Sequence, residues 1–308
     1  MRIAVFGKIL RKEDLIHVRN LFEQIMNESG SVLIFEDFLK DLNEQFELSK
    51  DYCFESFSLN DVSNLQADIL FSLGGDGTLL DTLSICGKGN LPVLGINLGH
   101  LGFLTSVGRE DCDNLLEKLK HGLFKIEEHY LLKADWEGAT KEHLAINEVC
   151  VRGLSPSELL ETEVYVNGEY LSTYSSDGLI AATPTGSTAY SMSCGGPIIS
   201  PKTKCICLTH ISPHNLTHRP LIIPEDSEIE FRISHSKNQV SLHLDSQNYL
   251  LNPPARILIR KAEKKLKLVR MENNSFFSAI RNKLMWGTNL RNTNKNDWNH
   301  IYRKAGLN

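Results

Sequence analysis

The feature that most constrains this chain is a change of hydrophobic period near Phe124. Before it, short apolar runs alternate with helical patterns. Ile3 to Phe6 and Val32 to Phe35 read as buried strands, and between them Leu15, Val18, Leu21, Phe22, Ile25 and Met26 recur at helical spacing. Asp68 to Leu73 and Leu91 to Ile96 read as further strands, and Leu115, Leu116 and Leu119 mark a later helix. Such alternation predicts a parallel sheet covered by helices, with ligands at the carboxyl ends of its strands. From Phe124 to about Met271 the period is mostly two. Val164-Tyr165-Val166 and Glu169-Tyr170-Leu171 flank Asn167-Gly168, a pair suited to the positive φ values of a tight hairpin turn. Ile206 to Ile211, Leu221 to Ile223, Ile229 to Ile233, Val240 to Leu244, Ile257 to Ile259 and Leu266 to Val269 continue the strand pattern. Phe276, Phe277, Ile280, Leu284 and Met285 then return to helical spacing. The expected architecture is an α/β N-terminal domain with a parallel sheet over residues 1–123, an all-β C-terminal domain over 124–271, and a C-terminal helix within 272–308 that returns to the first domain.

Composition narrows the function. With 308 residues and 41% apolar content the chain can fill two cores. A formal net charge of -5 offers no general field for polyanions, so nucleic acid is not an expected partner and any phosphate must be held by a local arrangement. Seven cysteines, scattered and without a C-x-x-C pair, fit a reducing cytoplasm. The segment Met1 to Gly7 is too short for a signal-peptide core or a membrane span, and no membrane association is expected. The basic tail, with Arg281, Lys283, Arg291, Lys295, Arg303 and Lys304, reads as a solvated end.

The chemistry begins where the strand ending at Leu73 meets Gly74-Gly75-Asp76-Gly77-Thr78, with Leu79, Leu80 and Leu83 continuing as a helix. Glycines let backbone approach a ligand, and the free amides of a helix start favour an anion such as pyrophosphate. A carboxylate among such amides repels phosphate unless it takes a proton from an attacking hydroxyl or holds a divalent metal. Both roles belong to phosphoryl transfer. An ordinary turn with a self-capping aspartate is the competing reading. A second constellation, Thr183-Pro184-Thr185-Gly186-Ser187-Thr188-Ala189-Tyr190-Ser191, follows the acidic turn Ser175-Ser176-Asp177-Gly178. Its hydroxyls and amides suit phosphate and ribose oxygens and Tyr190 suits a base; a solvent-facing turn is the alternative.

These motifs resemble the NAD kinase family. Gly74 to Thr78, Asn147-Glu148, Asp177-Gly178, Thr183 to Ser191, Gly195-Gly196-Pro197, Arg219-Pro220-Leu221 and Asp245-Ser246-Gln247 fall in that family's order and spacing, from about Arg2 to Trp286. The resemblance implies two domains with the active site between them, in a homodimer or homotetramer. It implies that Asp76 is the general base on the adenosine-ribose 2'-hydroxyl of NAD, with ATP and Mg²⁺, or another divalent cation, supplying the phosphoryl group. Gly75, Gly77, Thr78, Phe103, Asn147, Glu148, Ser175, Asp177, Thr188, Ala189, Tyr190, Ser191, Met192, Ser193 and Gln247 are its implied substrate contacts. Ser175 stands where many similar bacterial members carry arginine, which leaves the choice between NAD and NADH open.

Other readings have less support. His210, His214 and His218 invite zinc, but the glutamate of H-E-x-x-H is absent and Pro213 interrupts the run, so no metal site is expected there. Gly95, Gly99 and Gly102 lack dinucleotide-fold spacing, no Walker lysine follows, and Ser191 and Ser193 lack a nucleophile elbow. A diacylglycerol- or sphingosine-type lipid kinase would share Gly-Gly-Asp-Gly but not Asn147-Glu148 with the threonine-rich segment. A non-catalytic dinucleotide sensor would have no need of Asp76.

Overall fold

The computed structural model describes residues 1–8, 10–99, 102–154, 159–234, 238–272 and 275–286. The expected solvated positions Arg291, Lys295, Arg303 and Lys304 lie outside them. The described parts of Met1–Glu128 and Leu266–Asn308 form one compact unit, and those of His129–Lys265 a second. The chain passes between the units inside two long strands, so no linker marks either boundary in the sequence.

In the first unit β1 (Ile3–Gly7) leads to α1 (Leu15–Ser29), β2 (Val32–Phe35), α2 (Glu36–Phe46), β3 (Phe54–Phe57) and β4 (Ile69–Leu73). Two short helices, α3 (Asp76–Asp81) and α4 (Leu83–Gly89), precede β5 (Val93–Asn97), β6 (Val107–Gly108) and α5 (Leu115–Lys120). The sheet runs β3-β2-β1-β4-β5 with every pair parallel. β1, β2, β4 and β5 are buried at every position, which is why they appear in the sequence as unbroken apolar runs. Helix α1 turns Val18, Leu21, Phe22 and Ile25 inward. Neither α2 nor β3 was legible: α2 buries only Phe38 and Leu42 among acids, and β3 exposes Glu55 and Ser56 at the sheet edge.

The second unit takes in most of β7 (Phe124–Trp136), then β8 (His143–Ala145), β9 (Glu148–Gly153), β10 (Leu160–Val166), β11 (Glu169–Ser176) and β12 (Gly178–Ala182). It continues through α6 (Tyr190–Ser193), β13 (Cys205–Ile211), β14 (Leu221–Pro224), β15 (Ile229–Ile233), β16 (Val240–Leu244), β17 (Gln247–Leu251) and the first part of β18 (Ala255–Met271). One antiparallel sheet has the order β14-β13-β12-β9-β16-β17. The other runs β11-β10-β15-β18, also antiparallel. Their inner faces share a core in which Val149, Val151, Leu179 and Leu242 meet Val164, Phe231, Ile257 and Ile259. The β10–β11 turn is the expected one, with φ +52 at Asn167 and +81 at Gly168.

The two apolar stretches at Ile257 and Leu266 are a single strand, and its later part pairs in parallel with β5 through Leu268 and Val93. Helix α7 (Phe276–Leu284) then belongs to the first unit. Ser275 and Ser278 cap it reciprocally, each side chain accepting from the other's amide at 3.1 Å, and Ile280 is its buried anchor. No described helix is long and apolar enough to cross a membrane.

Candidate functional site

In the first unit the site forms at the carboxyl end of β4, where the chain leaves Leu73 and enters α3 at Asp76. The helix expected there has only six residues before the break at Thr82, so an anion would have to be held largely by side chains rather than by a long helix dipole. The Asp76 carboxylate is not self-capping. Oδ2 accepts from the amide of Phe103 at 2.7 Å, and Oδ1 accepts from Leu104 N at 3.2 Å, Thr105 N at 3.1 Å and Thr105 Oγ1 at 3.2 Å. Its side chain keeps 27% exposure. A Cβ on Gly102 would overlap this carboxylate, so only glycine lets the loop close over the acid.

The same loop is gripped from behind. Arg270 in β18 donates to the carbonyls of Phe103 at 2.9 Å and Leu104 at 2.8 Å, and it pairs with Glu127 at 3.2 Å. Amides of one short segment therefore face Asp76 while its carbonyls face a guanidinium, which fixes the acid's direction. Beside Asp76 opens a cavity of about 430 Å³ whose lining includes Gly74, Gly75, Thr78, Lys8, Arg11 and Lys283. Lys283 was expected in a solvated tail. Instead α7 brings its amine to 3.8 Å from Asp76 Oδ2 and 4.7 Å from the centre of the Phe103 ring. Sequence reasoning missed Lys8, Arg11 and Lys283 because isolated cations carry no pattern.

The second unit assembles the other motifs. Asp245, in the turn between β16 and β17, accepts from the amides of Ile146 at 2.7 Å, Asn147 at 2.8 Å and Glu148 at 3.0 Å. Thr183 closes the same corner: its Oγ1 donates to the Ile146 carbonyl at 2.5 Å, and its amide donates to the Asn147 carbonyl at 2.8 Å. Gly186 packs so closely on Asn147 that a Cβ would overlap the backbone. Asn147-Glu148 and the threonine-rich segment thus meet, although some 36 residues separate Asn147 from Thr183.

The hydroxyls of that segment do something other than form an exposed recognition surface. Thr183, Thr185, Ser187 and Ser191 are buried. Ser187 Oγ donates to the Pro184 carbonyl at 2.6 Å and accepts from Ile199 N at 2.9 Å, while Ser191 Oγ pairs with Thr209 Oγ1 at 2.8 Å. They satisfy backbone and side-chain groups that the turn would otherwise bury unpaired. Thr188, Ala189, Tyr190, Met192 and Ser193 keep accessible surface, and the Arg152 guanidinium lies 5.8 Å from the centre of the Tyr190 ring. Ser175 and Asp177 flank the β11–β12 junction and are half-buried, whereas Gln247 is exposed and accepts from Tyr249 Oη at 2.5 Å.

Glu148 is the most perturbed acid. Burial drives its carboxyl up to about 8, Asp245 adds to the shift, and the Tyr190 amide opposes it. Its Oε2 is buried and takes no hydrogen bond among the described residues. Near neutral pH this side chain can therefore act as a donor as well as an acceptor. His210 shifts downward through burial and the neighbouring His218, their ring centres 5.7 Å apart. Among the described residues no three His, Cys, Asp or Glu side chains gather to hold a metal ion. A Mg²⁺ ion bound through donor phosphates needs only one or two carboxylates, so this arrangement is compatible with a cation that arrives with its substrate.

Comparison with known proteins follows the same division. Residues 3–124 match the family model described as the ATP-NAD kinase N-terminal domain, and residues 146–271 that of the ATP-NAD kinase C-terminal domain. The chain is similar to the NAD kinase of Flavobacterium johnsoniae, with 38% identity over 296 residues, 95% of this chain and 100% of the relative. It shares 34% identity with the NAD kinase of Cytophaga hutchinsonii over 294 residues, again 95% and 100% of the two chains. Among solved structures, yeast NADH kinase complexed with NADH superposes with a TM-score of 0.82 at 26% identity, covering 96% of this chain and 90% of that one. An NAD kinase from Archaeoglobus fulgidus in complex with ATP shares the fold, with a TM-score of 0.67 at 24% identity, covering 91% and 97%.

Proposed function

The chain belongs to the ATP-NAD kinase family and phosphorylates NAD to NADP, and from that premise we propose that Asp76 is its general base, acting through Oδ2. The supporting observation is the asymmetry of the carboxylate: Oδ1 serves three donors, whereas Oδ2 serves the Phe103 amide alone among the described hydrogen bonds. A carboxylate oxygen has room for about two partners, so Oδ2 keeps a lone pair for the ribose 2'-hydroxyl. The proton passes to Oδ2 as the ribose oxygen bonds to the terminal phosphorus of ATP and the bond to the ADP bridging oxygen breaks. A positioned base contributes on the order of 10²–10⁴-fold, and alignment with charge neutralisation supplies the remainder.

In this reading Gly75, Gly77, Thr78 and Phe103 border the reacting groups. Asn147, Glu148, Ser175, Asp177, Thr188, Ala189, Tyr190, Met192, Ser193 and Gln247 contact the dinucleotide, and the buried Ser191 supports the segment through Thr209. The divalent cation arrives on the phosphates of the donor as part of the substrate, in keeping with the preference of Mg²⁺ for phosphate oxygens and water. Seven free cysteines support a cytoplasmic setting. The working assembly is a homodimer or homotetramer, an assignment that rests on family resemblance and that sedimentation of the purified protein tests.

The deciding experiment incubates purified protein with ATP, Mg²⁺ and either NAD, NADH or a diacylglycerol or sphingosine substrate, follows NADP or NADPH by an NADP-specific dehydrogenase, and follows lipid phosphate by transfer of label from ATP. Formation of the 2'-phosphate supports the reading; tight dinucleotide binding without turnover replaces it with a sensor, and phosphorylation of a lipid alcohol with a lipid kinase.

A further inference from the structure

Among the described residues three cations line the cavity beside Asp76, and they are not equivalent. Lys8 is paired with Asp81 at 2.6 Å, and Arg11 with Asp14 at 3.0 Å and Glu13 at 2.8 Å. Among the described residues the one acid paired with Lys283 is Asp76, whose Oδ2 lies 3.8 Å away, too far for a hydrogen bond. The ammonium group is steadied over the Phe103 ring, on a helix whose start is fixed by the Ser275–Ser278 box. This is a positioned charge whose three N–H donors make no described hydrogen bond, facing a cavity at the acid that accepts the proton.

We propose that Lys283 binds the terminal phosphate of the phosphoryl donor and is a further substrate-contacting residue of the transfer reaction. The proposal rests on the kinase reading of Asp76. When the ribose oxygen attacks phosphorus, its proton leaves to Asp76 Oδ2, and the reacting phosphoryl group lies next to that oxygen. An amine near Oδ2 therefore lies alongside the equatorial phosphoryl oxygens, where negative charge is spread in the transition state. Lysine suits this place, because it binds phosphate as a compact charge and needs no fixed fork geometry. Lys8 and Arg11 are partly neutralised by acids and set the rim of the same cavity.

The test starts from wild-type NADP formation, which decides the kinase reading on its own. Lys283→Met is then compared with Lys283→Arg and with Arg281→Met, an exposed cation of the same helix that does not line the cavity. Lys283→Met is expected to lower kcat/KM for ATP on the order of ten- to a hundredfold, the usual scale of a lost charge-assisted hydrogen bond. NAD affinity should stay unchanged, Lys283→Arg should recover part of the loss, and Arg281→Met should match wild type. Calorimetry with inorganic tripolyphosphate, which lacks base and sugar, should show matching weakening in Lys283→Met, and it reports on Lys283 even if no NADP forms. Unchanged tripolyphosphate binding, an equal loss in Arg281→Met, or a defect confined to NAD would overturn the proposal.

Discussion

Arg270 donates through Nη2 to the carbonyl of Phe103 at 2.9 Å, and the amide of that same Phe103 binds Asp76 Oδ2 at 2.7 Å. One residue thus transmits the position of a guanidinium in β18 to the proposed base. The arrangement makes Arg270 a positioning residue, and its effects should be separable from those of Asp76.

Arg270→Ala leaves the carbonyls of Phe103 and Leu104 without their charged donor, an interaction worth about 1.5–3 kcal/mol for each hydrogen bond to a charged group. We expect a lower melting temperature and a lower kcat with little change in KM for NAD, and Arg270→Lys should recover part of kcat. Unfolding scans beside steady-state kinetics check this; a variant altered only in KM would remove Arg270 from this role.

Asp76→Asn keeps the shape but offers an amide nitrogen where one carboxylate oxygen accepted. The expected loss is about 10²–10⁴-fold in kcat, the range of a missing general base, with dinucleotide binding largely retained. Single-turnover kinetics with equilibrium binding separate the two quantities. Normal turnover at saturating substrate would exclude the base role.

Gly102→Ala places a methyl group against the Asp76 carboxylate. Overpacking of this kind costs about 1–3 kcal/mol, and here relief comes by moving the acid or the loop. We expect kcat to fall more than stability alone accounts for, read by comparing kcat with the urea midpoint. Gly108→Ala is the control, since the nearest atom a Cβ there meets is Asp111 Oδ2 at 3.5 Å, an ordinary contact; a Gly102→Ala enzyme indistinguishable from it would show that the loop is not held as described.

Asp245→Ala strands three backbone donors, those of Ile146, Asn147 and Glu148. Each buried unpaired donor costs about 1–3 kcal/mol, so a loss of about 3 kcal/mol or more is expected, together with weaker dinucleotide binding. Asp245→Asn retains one acceptor and should fall between. Chemical denaturation and dinucleotide titration of both variants give the comparison.

Glu148 imposes a pH dependence with a definite sign. Its folded carboxyl, raised to about 8, holds a proton that the unfolded side chain has released, so folding takes up protons. This contribution to stability is complete below about pH 4.5 and disappears as pH rises through about 8. Glu148→Gln should flatten that part of the pH–stability curve and gain relative stability at alkaline pH, measured by urea midpoints across the interval. An unchanged slope in the variant would assign the dependence to another group.

The sheet of the first unit was legible because strands covered on both faces must be apolar throughout, as β1, β2, β4 and β5 are. The same physics hid β3, an edge strand with exposed Glu55 and Ser56, and α2, whose inward face is only Phe38 and Leu42. Around the site, the glycines and Asp76 stood out because residues of that kind in such a turn need a special reason. Lys283 and Arg270 did not, since each looks like an ordinary charge in its own stretch of chain, and the motif Asp245-Ser246-Gln247 gave no sign that Asp245 holds the amides of Ile146, Asn147 and Glu148.

By itself the sequence determined the order and type of most elements, the two-part organisation and the class of chemistry, since period, turn residues and the Gly-Gly-Asp-Gly-Thr motif are local properties. Tertiary structure alone decided which groups restrain that chemistry. Asp76 is held by amides 27 to 29 residues away, Arg270 reaches the same loop across 167 residues, and Thr183, Thr185, Ser187 and Ser191 of the threonine-rich turn are buried. Buried polar groups must find partners wherever the fold supplies them, and sequence distance carries no information about that choice.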